Sequence, residues 1–416
     1  MRIPGLLAII IFILSLLIDT YIFFDIKKSF PRRKGWQTGY LVSAIACWIF
    51  LGICIFMPRR DAEQGISFQM WGLYAYLTIY IPKIIFTLFS LIGQIPKIWK
   101  RNGFPLGKWV GFPLAIISFA ALWWGALITR NEMEVVRVEI CSPRLPQGFN
   151  DYKIVQISDL HTGTWGDDTR FINRLVDSVN SLKPDVIFFT GDIVNRQTNE
   201  LLPFLKSLSR LHAPDGVWSI LGNHDYGDYI EWQNEAEKSA NLSLLKNWQR
   251  QIGWKMLNNE STELIHNGDT IQLIGVENWG EPPFHQYGHL IEAYPVDKNS
   301  NKNLNDSRFK LLLTHNPEHW RREVTDISNI DLTLSGHTHA MQTEFRFGKW
   351  KWSPAVFRYP LWGGLYIKEN PRGELMQLYI NIGAGEVGMP FRIGAVPEIT
   401  LITLRKGSIP YSLQPK

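Results

Sequence analysis

The chain is 416 residues long, more than one ordinary domain needs, and its two ends differ in composition. Apolar and aromatic residues dominate up to about residue 130, whereas the remainder is charged and loop-rich, as in a soluble enzyme. The net charge of +5 is small and the basic residues of the first part lie mostly in short loops, which does not indicate a nucleic-acid-binding face. The three cysteines include no CxxC pair, which excludes a disulfide framework and a cysteine-based zinc site.

Four apolar runs in the first part are each long enough to cross a bilayer, which takes about 20 residues as a helix. They span 3–24, 40–57, 68–92 and 109–129. The first run does not resemble a secretory signal, because its apolar core is too long and no small-x-small cleavage site follows. The third run carries Pro82 and Lys83 near its middle, so we expect a kinked helix whose lysine faces the bundle or reaches the interface.

The lysine and arginine residues between these runs predict an orientation. One side of the membrane receives two basic loops, with Lys27, Lys28, Arg32, Arg33 and Lys34 in one and Lys97, Lys100, Arg101 and Lys108 in the other. The opposite side receives Arg2, Arg59, Arg60 and Arg130. Because the richer side is normally cytoplasmic, we expect a multi-pass protein of the cytoplasmic membrane whose soluble domain is extracytoplasmic. Losing one span from the count would reverse this orientation.

The sequence predicts three parts: an all-α transmembrane domain at 1–130, a linker at 131–150 and a soluble domain at 151–416. In the soluble domain, predicted strands alternate with segments of helical spacing, which is typical of an α/β fold. Strands are expected in YKIVQISDLH, DVIFFTGDIVN, GVWSILGNHD, TIQLIGVEN, FKLLLTHN, IDLTLSGHTH, LYINIGAG and EITLITL, and helices near 169–182, 199–211 and 231–252. The polar stretch 297–307 is predicted to be an exposed or disordered loop.

Side chains of the kinds that bind metals follow five of these strands at the point where each strand ends. They are Asp159 and His161, Asp192, Asn223 with His224 and Asp225, His315, and His337 with His339. Because sites in open α/β sheets form at the carboxyl ends of strands, these groups can converge on one crevice. Nitrogen and oxygen ligands without thiolate favour Mn, Fe, Zn or Co, and a carboxylate that bridges two such cations suits phosphoryl transfer.

The five blocks, D-x-H at 159–161, G-D at 191–192, G-N-H-D at 222–225, His315 and G-H-x-H at 336–339, resemble the calcineurin-like metallophosphoesterase family in order and spacing. The tail NIGAGEVGMPFRIGAVPEITLITL is similar to the membrane-anchored branch, the transmembrane proteins with a metallophosphoesterase domain. The resemblance implies a metallophosphoesterase β-sandwich flanked by helices, in four layers α/β/β/α.

The resemblance also implies a role for each residue of the five blocks. The first divalent cation would be held by Asp159, His161 and His339, the second by Asn223, His315 and His337, and Asp192 would bridge them. Hydroxide between the cations would attack phosphorus, His224 would contact the phosphate and protonate the leaving oxygen, and Asp225 would orient His224. One departure alters the rim of the site: relatives often read G-H-T-H-G-G-Q, whereas Ala340 and Met341 replace the two glycines here.

The segment 345–366, FRFGKWKWSPAVFRYPLWGGLY, mixes aromatic with basic residues directly after the last block. This composition suits a segment at a bilayer surface, and a packed hairpin that covers the crevice would explain it equally well. We therefore expect a membrane-bound phosphoesterase that acts on a lipid or lipid-linked phosphoester and binds no nucleic acid. Three alternatives stay open: a pyrophosphatase for a nucleotide-linked glycolipid such as UDP-diacylglucosamine, which would need a cytoplasmic site; a non-catalytic membrane sensor with this fold; and a transporter built on the four spans.

Overall fold

The computed structural model describes residues 5–56, 62–99, 102–282, 285–294, 307–348 and 350–410. The chain consists of two compact units. The first comprises Met1–Ile128 and Gly388–Ile393, and the second comprises Thr129–Val387 and Gly394–Lys416. The predicted exposed loop at 297–307 lies outside the described residues except for Ser307. Arg2, Arg59, Arg60, Lys100 and Arg101 of the charge count lie outside them too.

The first unit contains four helices in the part of the chain described: α1 (Gly5–Ser29), α2 (Lys34–Phe56), α3 (Ala62–Ile92) and α4 (Phe112–Leu127). The helical stretches around them are long and apolar enough to cross a membrane. Many of their large apolar side chains are exposed, among them Leu17, Val42 and Ile117, which suits surfaces that meet lipid rather than water. These four helices agree in number with the four predicted spans.

Lys83 faces the interior of this bundle, in agreement with the sequence. Its ammonium lies 2.8 Å from the carboxylate of Asp19 on α1, and Asp19 is only 3% exposed. The same carboxylate accepts hydrogen bonds from Tyr40 (2.6 Å), Trp48 (2.9 Å) and Tyr80 (2.6 Å). Because a charge within a bilayer is stable only when it is paired, this network holds α1, α2 and α3 in one register.

Two six-stranded sheets form the second unit. The first has the order β1 (Glu134–Ser142), β14 (Glu398–Lys406), β2 (Lys153–Ile157), β3 (Val186–Phe189), β4 (Val217–Ser219) and β5 (Trp254–Met256). The second has the order β12 (Gly364–Glu369), β13 (Leu375–Ile380), β9 (Leu332–Ser335), β8 (Lys310–Leu313), β7 (Asp269–Gly275) and β6 (Glu260–His266). A separate hairpin pairs β10 (Phe345–Phe347) with β11 (Trp350–Trp352).

Helices cover the outer faces of both sheets. The elements are α5 (Arg170–Ser181), α6 (Leu205–Leu208) and α7 (Glu235–Gln251) on the first sheet, and α8 (Leu290–Ala293), α9 (Pro317–His319) and α10 (Thr325–Ile327) on the second. Strand β3 shows how the layers arise, since Ile187 and Phe189 pack towards α5 whereas Val186 and Phe188 pack between the sheets. Successive side chains of a strand point to opposite faces, so a continuous apolar run fills two layers. The predicted four-layer α/β/β/α sandwich is confirmed.

Two of the predicted segments take a different form in the structure. Within 131–150, Glu134–Ser142 forms the edge strand β1, which pairs in parallel with β14, rather than a linker. Its charged residues and half-exposed faces hide the strand from a search for apolar runs. The helix expected at 199–211 is a 3₁₀ turn over Thr198–Phe204 followed by one short α-helical turn. Pro203 lies at this junction and cannot donate a backbone hydrogen bond to a regular helix.

Candidate metal centre

The nine residues predicted from the strand ends meet in the second unit. They follow β2, β3 and β4 of the first sheet and β8 and β9 of the second. Six of them form two groups of potential ligands, Asp159, His161 and His339 in one and Asp192, His315 and His337 in the other. Within each group the ligand atoms all lie within 4.8 Å of one another. The convergence expected from the strand ends is therefore observed.

The first group joins the ends of β2 and β9. His339 Nε2 lies 3.1 Å from Asp159 Oδ1 and 3.0 Å from His161 Nε2. All three side chains are at most 3% exposed. Two nitrogen ligands that each lie about 2.1 Å from one cation, at a right angle, are about 3.0 Å apart. The spacing of the two ring nitrogens thus fits a shared cation.

The second group joins the ends of β3, β8 and β9. His315 Nε2 lies 3.1 Å from Asp192 Oδ2 and 3.2 Å from His337 Nδ1. Asp192 Oδ2 is also 3.6 Å from His161 Nε2 of the first group. One carboxylate oxygen therefore faces both groups, as a bridging ligand must.

Neighbouring groups hold the ligands so that their free atoms face this space. His315 Nδ1 donates to the carbonyl oxygen of Thr190 (2.8 Å), which leaves Nε2 free. Asn223 Nδ2 donates to the hydroxyl oxygen of Tyr229 (2.7 Å), and the buried Oδ1 of the same amide has no hydrogen-bond partner. His337 Nε2 lies 2.9 Å from the hydroxyl of Tyr359. An oriented amide with an orphaned oxygen is what an additional oxygen ligand requires, so the residues fit a pair of divalent cations.

The protonation states of Asp192, His161 and His337 suit cations, whereas a cation would displace a proton from His315. Burial would lower the pKa of His315, but the charge of Asp192 outweighs burial and raises this pKa to about 9. Burial would raise the pKa of Asp192, but the imidazoles of His315 and His224 outweigh it and hold the pKa well below its ordinary range. Burial lowers the pKa of His337 to about 3 and that of His161 well below its ordinary value. At neutral pH the carboxylate is therefore charged and these two imidazoles are neutral, which metal binding requires.

Asp225 makes different contacts from those that the resemblance implies, whereas the His224 ring lies beside the first ligand group, with its centroid 4.8 Å from that of His161. His224 Nδ1 donates to the carbonyl oxygen of Asn195 (2.6 Å), and the imidazole stacks on Tyr229 with centroids 4.2 Å apart. The carboxylate of Asp225 is fully buried and accepts four backbone N–H bonds, from Asp192 (2.9 Å), Ile193 (2.9 Å), Val194 (3.3 Å) and Gly222 (2.8 Å). Because these bonds turn the carboxylate towards the loops after β3 and β4, Asn195 rather than Asp225 orients the imidazole. Burial and the charge of Asp192 raise the pKa of Asp225 to about 7.

Five of the ligand-type residues have a left-handed backbone. The φ angles are 55° at Asp159, 45° at His161, 59° at Asp192, 76° at His337 and 50° at His339. This conformation costs a residue with a Cβ roughly 1–2 kcal/mol. Strain of this kind persists where the surrounding structure enforces it and clusters at functional sites. The left-handed backbone conformations therefore cluster at the same site as the ligand side chains.

Comparison with known proteins agrees with this geometry. Residues 152–341 match the family model described as calcineurin-like phosphoesterase, and residues 1–130 match the model described as probable calcineurin-like phosphoesterase, transmembrane domain. The chain belongs to the calcineurin-like phosphoesterases. This phosphoesterase is accordingly a phosphoric ester hydrolase with a membrane domain, of a family that uses divalent metals, and the two ligand groups could hold them.

Three relatives of the phosphoesterase cover most of its length. The transmembrane protein with metallophosphoesterase domain of Danio rerio is 28% identical over 82% of this chain and 73% of its own. An uncharacterized metallophosphoesterase of Helicobacter pylori (strain ATCC 700392 / 26695) is 26% identical over 96% of this chain and 98% of its own. The UDP-2,3-diacylglucosamine pyrophosphatase LpxG of Chlamydia trachomatis is 27% identical over 67% of this chain and 91% of its own.

Glycine is required at two positions of the phosphoesterase motifs, because the backbone there passes very close to the side chain of a ligand residue. A Cβ on Gly222 would lie 2.2 Å from Asp192 Oδ1, and a Cβ on Gly336 would lie 2.3 Å from Asp159 Oδ2. Neither carboxylate can retreat without leaving its ligand group. Glycine is thus the residue that lets these backbones pass directly beside the ligands.

The loop after His339 is strained, and it includes the two positions at which the family resemblance implies glycine. Ala340, Met341 and Gln342 have φ angles of 50°, 44° and 57°. Met341 is 43% exposed, so Met341→Gly relieves strain without removing a buried side chain. We expect this variant to be more stable by up to about 1 kcal/mol, measured as a higher unfolding temperature of the purified phosphoesterase. Met341→Ala is the control, because it keeps the Cβ, and equal unfolding temperatures of the two variants would contradict the prediction.

Proposed function

We propose that this phosphoesterase hydrolyses a phosphoester of a lipid or lipid-linked substrate at two divalent cations. The proposal is supported above all by Asp192, because one of its two carboxylate oxygens, Oδ2, faces both ligand groups. The cations, drawn from Mn, Fe, Zn or Co, would be held by Asp159, His161 and His339 on one side and by Asn223, His315 and His337 on the other. When bound, they would neutralise phosphoryl oxygens and lower the pKa of a water molecule.

His224 would supply the proton for the leaving oxygen. Its Nδ1 hydrogen is committed to the carbonyl of Asn195, so Nε2 is the atom from which a proton can be transferred. Burial lowers the pKa of His224, and a phosphate anion in contact with the ring would raise it again. The ring would therefore gain its proton together with the substrate. Asp225 would be a positioning residue, because it holds the two loops that carry Asp192 and Asn223.

The general reaction is tested with the purified full chain and bis(p-nitrophenyl) phosphate. We expect turnover with added Mn, loss of turnover with a chelator and recovery when Mn is restored. The reason is that the cations would neutralise the negative charge of the phosphoryl oxygens. Turnover that survives chelation and removal of the metal would contradict the proposed cation pair. Absence of turnover with each of the four metals would favour the non-catalytic sensor.

A lipid substrate is supported by an exposed aromatic cluster on the segment that follows the metal loop. The cluster consists of Phe345, Phe347, Trp350, Trp352 and Phe357, whose rings contact one another along the hairpin β10–β11. Phe347 is 68% and Phe357 84% exposed. Ser353 Oγ donates to the carbonyl of Ala340 (2.6 Å), which fastens this segment to the metal loop. Aromatic rings at a bilayer interface can guide an amphiphile towards such a site.

The basic residues of the segment contribute less than its rings. Arg346 is paired with Glu344 and Glu134, and Arg358 with Glu281. Lys349 lies outside the described residues, and Lys351, 54% exposed at its side chain, lies 3.9 Å from the carboxylate of Glu344. The proposal therefore relies on the aromatic cluster.

A triple variant tests the aromatic cluster: Phe347→Ser, Trp350→Ser and Phe357→Ser together. We expect turnover of a phospholipid substrate in vesicles to fall about tenfold or more relative to turnover of bis(p-nitrophenyl) phosphate, because each lost ring removes roughly 1.5–3 kcal/mol of interfacial burial. The matched control replaces Leu202, Ile265 and Ile291 by serine, since these are equally exposed outside the cluster. Equal ratios in the two variants would contradict a lipid-collecting role.

A second candidate is a pyrophosphatase for a nucleotide-linked glycolipid. It is supported by the relative named UDP-2,3-diacylglucosamine pyrophosphatase. Such a substrate would require a cytoplasmic active site, whereas the basic loops after the first and third spans favour an extracytoplasmic one. A C-terminal reporter that is active on one side of the membrane only separates the two: a cytoplasmic signal supports the pyrophosphatase, an external signal the lipid phosphoesterase.

A further inference from the structure

A cavity of about 620 Å³ opens beside the second ligand group. Its lining includes Asn223, Tyr229, Trp232, Lys238, Asn278 and His285. None of these except Asn223 belongs to the motifs read from the sequence. The volume is large enough for an organic group of the size of a sugar or a nucleoside.

The cavity lies on the side of the reaction centre where His224 acts. Tyr229, a lining residue, accepts a hydrogen bond from Asn223 and stacks on the His224 imidazole. Tyr229 thus contacts both Asn223, which would bind a cation, and His224, which would protonate the leaving oxygen. A phosphorus atom at the cations would direct its leaving group along this wall into the cavity.

One residue that lines the cavity carries a buried polar atom without a partner. Asn278 is 3% exposed, and its Oδ1 accepts no hydrogen bond in the structure. Its backbone is held in place, because its N–H donates to Tyr226 and its carbonyl accepts from Tyr287 and Gly288. A rigidly held, unpartnered acceptor on a residue that lines a cavity is suited to a ligand that donates a hydrogen bond once the amide turns towards it.

The charges of the lining restrict the ligand further. Lys238 is paired with Asp228 at 2.5 Å. Glu235 is then the one other Asp, Glu, Lys or Arg among the lining residues that the structure describes. Within this described lining, no spare cation is therefore available for a second anionic group. Amide side chains equally disfavour an acyl chain, while Tyr229 and Trp232 offer faces to a ring or to a small cation.

We infer that this cavity binds the leaving group of the substrate, a polar headgroup that donates hydrogen bonds and brings no negative charge into the cavity. The inference rests on the proposed function and makes the substrate a diester, with the lipid on one side of phosphorus and the headgroup on the other. Water forms the new P–O bond while the P–O bond to the headgroup breaks. The His224 proton goes to the headgroup oxygen, and the proton released by water restores His224.

Direct binding tests the inference without relying on turnover. The full chain in detergent, with Mn, is titrated with uridine, N-acetylglucosamine and ethanolamine, which represent a nucleoside, a sugar and an amino alcohol. Saturation-transfer NMR should detect at least one of them, and the one that binds identifies the source of the headgroup. We expect Asn278→Ala to weaken that binding at least tenfold.

Two further variants make the result decisive. Asn258→Ala is the control, because Asn258 also has a buried Oδ1 without a partner but does not line the cavity, and it should bind normally. Asn278→Asp keeps the shape of the side chain and should favour ethanolamine over the neutral probes. Absence of binding by all three probes, or equal binding by Asn278→Ala and wild type, would overturn the inference. A chain that binds a probe but never hydrolyses bis(p-nitrophenyl) phosphate would instead overturn the proposed function and the leaving-group role, and would leave the cavity as a binding site.

Discussion

Asp192→Asn should abolish the paired cation site and reduce turnover of bis(p-nitrophenyl) phosphate about 10³-fold or more. Residues that merely support a metal ligand cost roughly 10–100-fold when replaced, and Asp192 faces both groups at 3.1 and 3.6 Å. Elemental analysis of the purified protein should show at most one cation for each chain in the variant. His337→Ala, which removes a ligand from the second group alone, should lose turnover as well.

His319→Ala is the matched control for these substitutions. His319 is fully buried, and its Nδ1 lies 2.9 Å from the hydroxyl of Thr314, but it belongs to neither ligand group. This variant should be less stable and still bind two cations. Two bound cations and full turnover in Asp192→Asn would contradict the bridging role.

Asp225→Ala should be among the most destabilising single substitutions in the second unit. It leaves four buried backbone N–H groups without an acceptor, and each unsatisfied donor costs about 1–3 kcal/mol before relaxation. We expect a total loss of roughly 3–5 kcal/mol in the free energy of unfolding. That loss corresponds to an unfolding temperature lower by about 10 °C for a unit of this size.

Asp225→Asn separates this structural role from an orienting one. The amide keeps one oxygen acceptor but adds donors that face backbone N–H groups, so the unfolding temperature should fall here too. Asp177→Ala, at an exposed helical position, should leave the unfolding temperature unchanged. A large decrease in kcat with unchanged unfolding temperature would instead indicate that Asp225 acts on the imidazole of His224.

The candidate ligand residues could be placed from local sequence patterns, whereas their division between two cations and the four layers of the sandwich were implied by the resemblance to the family. A strand such as β3 is apolar throughout since both of its faces are buried, and the polar residue at its end therefore stands out. The glycines at 222 and 336 mark the same turns, and the structure shows carboxylates directly beside them. The four spans could be predicted for a similar reason, since length and hydropathy suffice.

Other features depend on contacts that no local pattern records. Tyr229 supports Asn223 from six residues further along the chain, and Tyr359 supports His337 from 22 residues further along, and neither belongs to a motif. Asp225 comes directly after His224 in the sequence, but its carboxylate is oriented by backbone N–H groups of the loops after β3 and β4. The left-handed φ angles of the ligands arise because the sandwich forces these turns, and ordinary propensities for Asp and His would not suggest them.

The segment Gly388–Ile393 changes what cutting this protein would achieve. The chain enters the first unit a second time there, after β13 and before β14, and Phe391 stacks on Tyr74 with ring centroids 5.3 Å apart. Met389 and Ile393 pack in the same cluster as Leu122. One protease cut near residue 130 would therefore not release a soluble enzyme, and a shortened gene that begins after α4 would leave this apolar strip without its partners. A water-soluble version would need polar residues at 389, 391 and 393 as well as the loss of the helices.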